Sequence, residues 1–284
     1  DQLAQAMIGE GRSAQVPLVR HATAAGAERL QIKGLVVAGD RGELAVRGID
    51  LQVRGGEIVG VAGVAGNGQR ELMQALTGQR ARTAGDVTVS GQPFFANRRQ
   101  NRALKVRSLP EEPLQNACVG ALSVAHNMGL RQFDEAPFAR AGLVRWSLLR
   151  QRAREWIASY GVKTQGENAA IRTLSGGNVQ RAVLARELSS EADLLLVSNP
   201  VFGLDFGAVA EIHARLLQAR ERGAAVLLVS EDLDELLFLA DRIVVISEGR
   251  IVFETPAQQA DRRQLGAYMG GLSHGSHAAA KEAA

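Results

Sequence analysis

The sequence has few of the features that mark secreted, membrane-spanning or metal-binding proteins. Its single cysteine, Cys118, excludes an internal disulfide and a paired-cysteine metal site, and is typical of a reducing compartment. A membrane-spanning helix requires an apolar run of about 18 residues, and no run in this sequence is that long. No secretory leader pattern is present. We therefore expect a chain that neither spans nor crosses a membrane by itself.

The sequence also lacks an excess of charge of one sign. Its 284 residues carry 33 basic and 30 acidic side chains, for a net charge of +3. A small basic cluster lies between Arg98 and Arg107, but no aromatic residue interleaves with it to stack on bases. We interpret this cluster as a solvated face and predict no nucleic-acid partner.

Hydrophobic residues make up 46% of the chain, which is enough for a full core. The segments ERLQIKGLVV and LAVRGIDLQV alternate with period two, and GEIVGVAG is a short apolar run that ends in glycines. The next segment, QRELMQALTG, has helical periodicity, with Leu72, Met73 and Leu76 on the inner face and Gly78 as a C-terminal stop. The pattern predicts a strand, a glycine-rich loop and a helix in succession.

The two ends of the sequence differ from its middle. The chain begins at Asp1, and its first residues pass from a short helical pattern into a small, polar connector. We predict that residues 1–28 are the tail of an upstream domain and a linker. Residues 273–284 are of low complexity and predicted to be disordered; we expect no metal site at His274 and His277.

The glycine-rich loop resembles a phosphate-binding loop that has lost its charge. In the working motif, glycine amides surround the phosphates, a lysine reaches the β and γ groups, and a hydroxyl binds magnesium. Here Gln69 and Arg70 occupy the positions of the lysine and the hydroxyl residue. The candidate nucleotide-binding residues are Gly63, Gly66, Asn67, Gly68, Gln69, Arg70 and Glu71.

A second motif, TLSGGNVQRAVLARELS, lies about a hundred residues later and is more specific. A serine hydroxyl, two glycines and the positive end of a helix together suit a terminal phosphate. The alternative interpretation is a serine-capped helix after a turn, which does not require the whole string. The candidate phosphate-binding residues of this motif are Leu174, Ser175, Gly176, Gly177, Asn178 and Gln180.

The order of the glycine loop, LSGGNVQR, DLLLVSNPVFGLD and VLLVSEDLDELLFLADRIVVISEGRIV resembles the nucleotide-binding domain of an ABC transporter over residues 29–272. More narrowly, it resembles the second, C-terminal ATPase half of tandem importers for simple sugars and nucleosides. The resemblance implies an α/β P-loop ABC ATPase fold, with a RecA-like core, an antiparallel β layer and a helical subdomain at about 113–180 that faces the membrane subunits. It also implies that Asp205 lies in the D-loop, at the dimer contact.

Compared with active members of that family, this chain has lost the catalytic side chains. The positions of the magnesium-orienting Asp and the catalytic Glu are Ser198 and Asn199, and the switch histidine is Glu231. The family's loop glutamine corresponds to Glu111 or Glu112. The lysine, the magnesium-binding hydroxyl, the catalytic base and the histidine are all absent, and catalytic groups that act together lose more jointly than any one of them does alone. We therefore expect negligible ATP hydrolysis at this chain's own site. The intact LSGG string is expected to serve the ATP held by a partner half.

Two local features each leave two interpretations open. Arg70 can bind a phosphate in place of the missing lysine, without magnesium, or it can point into solvent from an empty loop. The acidic cluster Glu231, Asp232, Asp234 and Glu235 can hold a metal, or it can be the first turn of a helix capped by Ser230. We favour the structural interpretation of the acidic cluster.

The sequence thus predicts the second nucleotide-binding half of an importer for nucleosides or simple sugars. Its expected partners are a catalytic first half and transmembrane permease subunits, its expected ligand is ATP, and its expected location is the cytoplasmic face of the membrane. One alternative is a scaffold half that binds no nucleotide. Another is a soluble ABC protein unrelated to transport, which the absence of basic or coiled-coil insertions disfavours.

Overall fold

The computed structural model describes residues 26–201, 204 and 206–271. Apart from residues 26–28, the predicted upstream tail and linker lie outside the described residues, as do the predicted C-terminal tail, its two histidines and Asp205. The domain boundaries at residues 28 and 272 therefore stay predictions. No helix within the described ranges is long and apolar enough to span a membrane.

Twelve strands build three sheets in the described part of the chain. The strands are β1 Glu28–Ala38, β2 Leu44–Arg54, β3 Ile58–Ala62, β4 Ala84–Val89, β5 Gln92–Pro93, β6 Val106–Leu109, β7 Ala139–Arg140, β8 Leu143–Val144, β9 Leu194–Ser198, β10 Ala225–Val229, β11 Arg242–Ser247 and β12 Arg250–Pro256.

Nine α-helices accompany these strands in the described ranges, with 3₁₀ turns at Ile171–Thr173 and Ala257–Gln259. The helices are α1 Gln69–Thr77, α2 Arg98–Ala103, α3 Pro113–Asn116, α4 Val124–Gly129, α5 Trp146–Ser159, α6 Gly176–Leu188, α7 Phe206–Glu221, α8 Leu233–Leu239 and α9 Arg262–Met269.

The central sheet has the order β12-β11-β3-β10-β9-β6 and is parallel except for its edge strand β12. Alternate residues of its buried strands point to opposite faces, as the pleat requires. Val226 and Leu228 of β10 face one apolar cluster, whereas Leu227 and Val229 face the other. Two cores on the two faces of one sheet explain why these strands are continuously apolar.

The two cores carry different layers. The antiparallel sheet β2-β1-β4-β5 and helix α1 share one cluster with β3, and α4, α5 and α6 share the other. The prediction for α1 is confirmed, since Leu72, Met73 and Leu76 are buried and Gly78 ends the helix with φ 79°. The residues between β6 and α6 contain the helices α3, α4 and α5 and the short hairpin β7–β8.

A buried ion cluster joins α6 to the helical layer. Glu187 is fully buried, and its carboxylate accepts Arg186 Nε at 2.7 Å and Arg131 Nη2 at 2.9 Å. Arg186 also donates to the carbonyl oxygen of Ala117 at 2.7 Å. Burial by itself would raise the pKa of Glu187, but the two guanidinium groups outweigh it and hold this pKa below its ordinary value.

Replacing Glu187 should destabilise the chain strongly. Glu187→Ala leaves Arg186 buried without its carboxylate, so we expect the free energy of unfolding to fall by about 3–5 kcal/mol in urea at pH 7. The control is Glu191→Ala, which breaks the exposed ion pair of Glu191 with Lys105. We expect no measurable change in the control, and equal losses in both variants would contradict the role of the cluster.

The same pair of variants should differ in acid. Because the folded-state pKa of Glu187 is lowered, its contribution is complete above the unfolded-state pKa of about 4.5 and is lost as the pH falls through the folded-state value. The free energy of unfolding of Glu187→Ala should therefore decrease less steeply with falling pH than that of the parent chain. The same difference should be smaller for Glu191→Ala. Urea titrations from pH 7 to pH 3 measure both slopes.

Candidate functional site

The glycine loop connects β3, which ends at Ala62, to α1, which begins at Gln69. Gly66 and Gly68 have φ values of 88° and 103°, a region that L-residues with side chains rarely adopt. A Cβ on Gly68 would lie 2.3 Å from the carbonyl oxygen of Ala45 in β2. The loop backbone therefore packs directly on the antiparallel sheet, and its glycines are required by geometry.

Asn67 holds the loop against the turn between β11 and β12. Its Oδ1 accepts a hydrogen bond from the Glu248 amide at 2.9 Å, and its carbonyl oxygen accepts one from the Gly249 amide at 3.0 Å. Because both acceptors of Asn67 are engaged, the residue fixes the shape of the loop. This contact links the loop to the β11–β12 turn, on the side of the central sheet away from β9.

Gln69, at the lysine position, turns back into the loop. Its side chain is buried, and Nε2 donates to the carbonyl oxygen of Val64 at 3.1 Å. The same Nε2 lies 2.1 Å from the point that a Cβ on Gly63 would occupy. The amide of Gln69 thus fills the space beside Gly63, and only glycine fits there.

Arg70, at the predicted hydroxyl position, is exposed and lies near Asp40 in this structure. Its side chain is 69% exposed, and Nη2 lies 3.9 Å from Oδ2 of Asp40. Asp40 is also bound by Arg80; the hydrogen bond and charge of Arg80 lower the pKa of Asp40, and the charge of Arg70 adds to the effect. Glu71 lies in the first turn of α1. Asp40 was not singled out from the sequence, because its two partners lie 30 and 40 residues away.

Ser198 and Asn199, the predicted positions of the family's Asp and Glu, lie at the carboxyl end of β9. Ser198 is half-buried, and Asn199 accepts a hydrogen bond from the amide of Glu231 through Oδ1 at 2.9 Å. Mg²⁺ is usually held through carboxylates and phosphate oxygens, and neither Ser198 nor Asn199 offers a carboxylate. These side chains do not fit a magnesium ion.

The acidic cluster that follows has a structural role, but the predicted cap was wrong. Asp232, and not Ser230, caps α8: its Oδ1 accepts from the amides of Asp234 at 2.8 Å and Glu235 at 3.4 Å. The Ser230 hydroxyl donates to the buried carboxylate of Glu235 at 2.6 Å and accepts the amide of Asp232, the N-cap residue itself, at 3.1 Å. Within the described ranges, no group of three or more His, Cys, Asp or Glu side chains could hold a metal.

The LSGG motif begins α6, with Leu174 half-buried before it and Ser175 at the N-cap position. The Ser175 side chain makes no capping hydrogen bond; its Oγ accepts from Asn178 Nδ2 at 2.8 Å. Ser175 and Gly176 are exposed, and nothing lies within 4 Å of a Cβ placed on Gly176. The amino end of a 13-residue helix is thus open to an anion from outside the chain.

The two candidates for the family's loop glutamine are both exposed. Glu111 and Glu112 follow β6 directly, and Glu112 precedes α3. The structure places both in the segment that leads from the central sheet into the helical layer, so the choice between them stays open.

Comparison with known proteins matches this arrangement to one family. The family model for ABC transporters matches residues 46–201. The chain is 37% identical over 272 residues to the guanosine import ATP-binding protein NupO of Bacillus subtilis, covering 95% of this chain and 53% of that protein. It is 40% identical over 243 residues to the nucleoside import ATP-binding protein NupA of Lactococcus lactis, covering 85% and 48%. It thus spans about half the length of these relatives.

Solved structures agree on the fold. The ATP-binding cassette MJ0796, in a dimer bound to ADP and Pi, superposes with a TM-score of 0.68 at 22% identity, covering 80% of this chain and 98% of that one. An ATP-binding subunit of an ABC transporter superposes with a TM-score of 0.69 at 18% identity, covering 85% and 99%. The α/β P-loop fold predicted from the sequence is therefore confirmed.

The close approach at Gly68 gives a prediction with a matched control. Gly68→Ala combines backbone strain with a clash against Ala45, so we expect a loss of about 2–5 kcal/mol in the free energy of unfolding. Gly66→Ala has a similar φ but open space, so we expect only the strain, about 1–2 kcal/mol. Chemical denaturation compares the two, and equal losses would show that the loop does not need its contact with β2.

Proposed function

The chain belongs to the ABC transporter family of ATP-binding domains, and from this premise we propose that it is the second nucleotide-binding half of an importer for nucleosides or simple sugars. In this role it keeps a degenerate site of its own and completes the ATP site of a catalytic first half. Its other partners are transmembrane permease subunits, which place it at the cytoplasmic face of the membrane.

The observation that carries this proposal is the contrast between the two motifs of the chain. At the amino end of α6, Ser175 and Gly176 are exposed and unobstructed. At the glycine loop and β9, the residues that an ATPase needs are replaced by two amides, an arginine and a serine, namely Gln69, Asn199, Arg70 and Ser198. A chain that offers a phosphate site outward while lacking its own base and metal ligands is suited to assist hydrolysis at another site.

The relatives support the importer assignment and its class of cargo. NupO and NupA are named for the import of guanosine and of nucleosides, and a further relative from Haloferax volcanii, 38% identical over 272 residues, is named for the import of glucose. We propose a nucleoside or a simple sugar as the cargo. Its identity depends on the membrane and receptor subunits.

The degenerate site keeps part of a nucleotide cradle. The loop amides and the amino end of α1 remain to orient phosphates, and Arg70 is the nearby cation that can replace the lysine. To do so, Arg70 has to leave Asp40, from which it is 3.9 Å away in this structure. We propose that ATP binds here weakly, with little dependence on magnesium, and is not hydrolysed.

A scaffold half that binds no nucleotide is the second candidate. The observation in its favour is the buried amide of Gln69, which lies inside the loop and is bonded to Val64. In that case the loop is filled from within, and the chain acts only through α6.

The signature variants test the main proposal. In the assembly of this chain with its partner half and permease, we expect Ser175→Arg to abolish ATPase activity and transport, because it puts bulk and charge where the partner's γ-phosphate docks. Gly177→Asp should do the same. The control is Ser189→Arg, at the exposed opposite end of α6, which should keep full activity. Full activity in both signature variants would show that the LSGG motif only begins a helix and does not bind the partner's ATP.

Nucleotide binding by the 284-residue chain separates the two candidates. A fluorescent ATP analogue should bind in magnesium and in EDTA with similar affinity and be recovered unhydrolysed. Arg70→Ala should weaken this binding about tenfold, the effect of one charge-assisted hydrogen bond. Arg99→Ala, which removes an exposed arginine on α2, should have no effect.

Three outcomes would change this assignment. Binding that disappears in EDTA would require a magnesium site, and binding unaffected by Arg70→Ala would remove Arg70 from the phosphates. If no condition gives binding, the scaffold candidate is correct.

A further inference from the structure

The residue at the position of the catalytic base bridges two strand ends. Asn199 directly follows β9, and its backbone amide donates to the carbonyl oxygen of Val229 in β10 at 2.8 Å. Its side-chain Oδ1 accepts the amide of Glu231 at 2.9 Å. Asn199 has φ 40°, which asparagine adopts more readily than most residues with a side chain. The replacement has thus produced a local lock between the former base position and the former switch position.

The next residue along the chain connects this lock to α6. The carbonyl oxygen of Pro200 accepts a hydrogen bond from Gln180 Nε2 at 2.9 Å, and Gln180 is only 4% exposed. A buried hydrogen bond of this kind has no water to replace it, so breaking it leaves both groups unsatisfied. The same stretch touches α6 a second time, because a Cβ on Gly177 would lie 3.0 Å from Leu204 Cδ2.

We propose that Asn199 and Gln180 are positioning residues that connect the degenerate site to the LSGG motif within one chain. The connection runs from the Glu231 amide to the Asn199 side chain, through Pro200, to the Gln180 side chain and into the first turns of α6. The role of this connection rests on the proposed function. In that role, the conformation of the degenerate site sets the position of Ser175 and Gly177, which bind the partner's ATP.

The chemistry of the replaced residue suits this task. The amide oxygen of asparagine accepts a hydrogen bond without bringing a charge next to the carboxylate-bearing residue at 231. A glutamate at this position would be one methylene longer and negatively charged, so its oxygens would extend past the Glu231 amide. The loss of the catalytic base and the gain of the lock are therefore one substitution.

Amide hydrogen exchange in the 284-residue chain tests the connection without nucleotide or partner. Three amides report on it: Glu231, bonded to Asn199 Oδ1, and Asn178 and Val179, bonded to the carbonyl oxygen of Ser175 at 2.9 and 3.0 Å. Asn199→Ala removes the acceptor and should speed exchange at all three amides, about fivefold for one net hydrogen bond. Asn199→Asp keeps an acceptor oxygen but brings a charge next to Glu231, so its exchange at the three amides should be faster than in the parent chain and slower than in Asn199→Ala.

The reverse variant tests reciprocity. Gln180→Met keeps the size of the side chain but removes the donor, and it should speed exchange at Asn178 and Val179 and also at Glu231, because coupling between two sites acts in both directions. The double variant Asn199→Ala/Gln180→Met should exceed neither single variant by more than measurement error. Asn97→Ala, which removes a side-chain acceptor from the start of α2, should leave all three amides unchanged.

Several results would overturn the connection. Faster exchange at Glu231 alone in Asn199→Ala would make the lock local, and additive effects in the double variant would make the two contacts independent. If Asn199→Asp exchanges like Asn199→Ala, the acceptor is not involved. The partly exposed position of Asn199 keeps the test available if Gln180→Met unfolds the chain. Failure here leaves the importer assignment intact, and failure of nucleotide binding leaves the connection intact.

Discussion

The buried carboxylate of Glu187 is the interaction on which the position of α6 depends. It lies in the last turn of α6 and binds Arg131 from the segment after α4 and its own neighbour Arg186, and Arg186 in turn reaches the carbonyl oxygens of Ala117 and Asn127. Two guanidinium groups around one carboxylate satisfy a charge that the core could not otherwise hold. With its far end fixed in this way, α6 presents its amino end to the outside.

The side chains at the predicted catalytic positions make specific contacts within the fold. The Gln69 amide bonds to Val64, the Asn199 amide oxygen receives the Glu231 backbone, and Arg70 lies beside Asp40. An active site that had simply lost its function would be expected to leave unpaired polar groups, yet these side chains make specific contacts. The first lies within the loop between β3 and α1, and the second links the segments that follow β9 and β10.

The sequence predicted what depends on local pattern, and it missed what depends on distant neighbours. Periodicity and a terminal glycine were sufficient for α1 and its end at Gly78, because helix formation and stopping are decided within a few residues. The predicted cap of α8 was wrong because Ser230 and Asp232 both suit an N-cap, and the helix begins only at Leu233, directly after Asp232. The contacts of Asp40 with Arg80 and of Gln180 with Pro200 join segments far apart in sequence, so no local pattern could indicate them.

The glycine loop of this chain carries different charges from those of a working phosphate-binding loop. A working loop opposes the negative phosphates with a lysine and a divalent cation, in addition to its amides. Here Arg70 is the candidate replacement for the lysine within the loop segment, and in this structure its guanidinium group lies beside the carboxylate of Asp40. Since the loop amides and the helix end carry only partial charges, the affinity of this site depends on whether Arg70 exchanges Asp40 for a phosphate. In the proposed assembly, a partner half that contributed its own helix end to the same nucleotide would favour that exchange, so occupancy of this site would depend on the assembled pair.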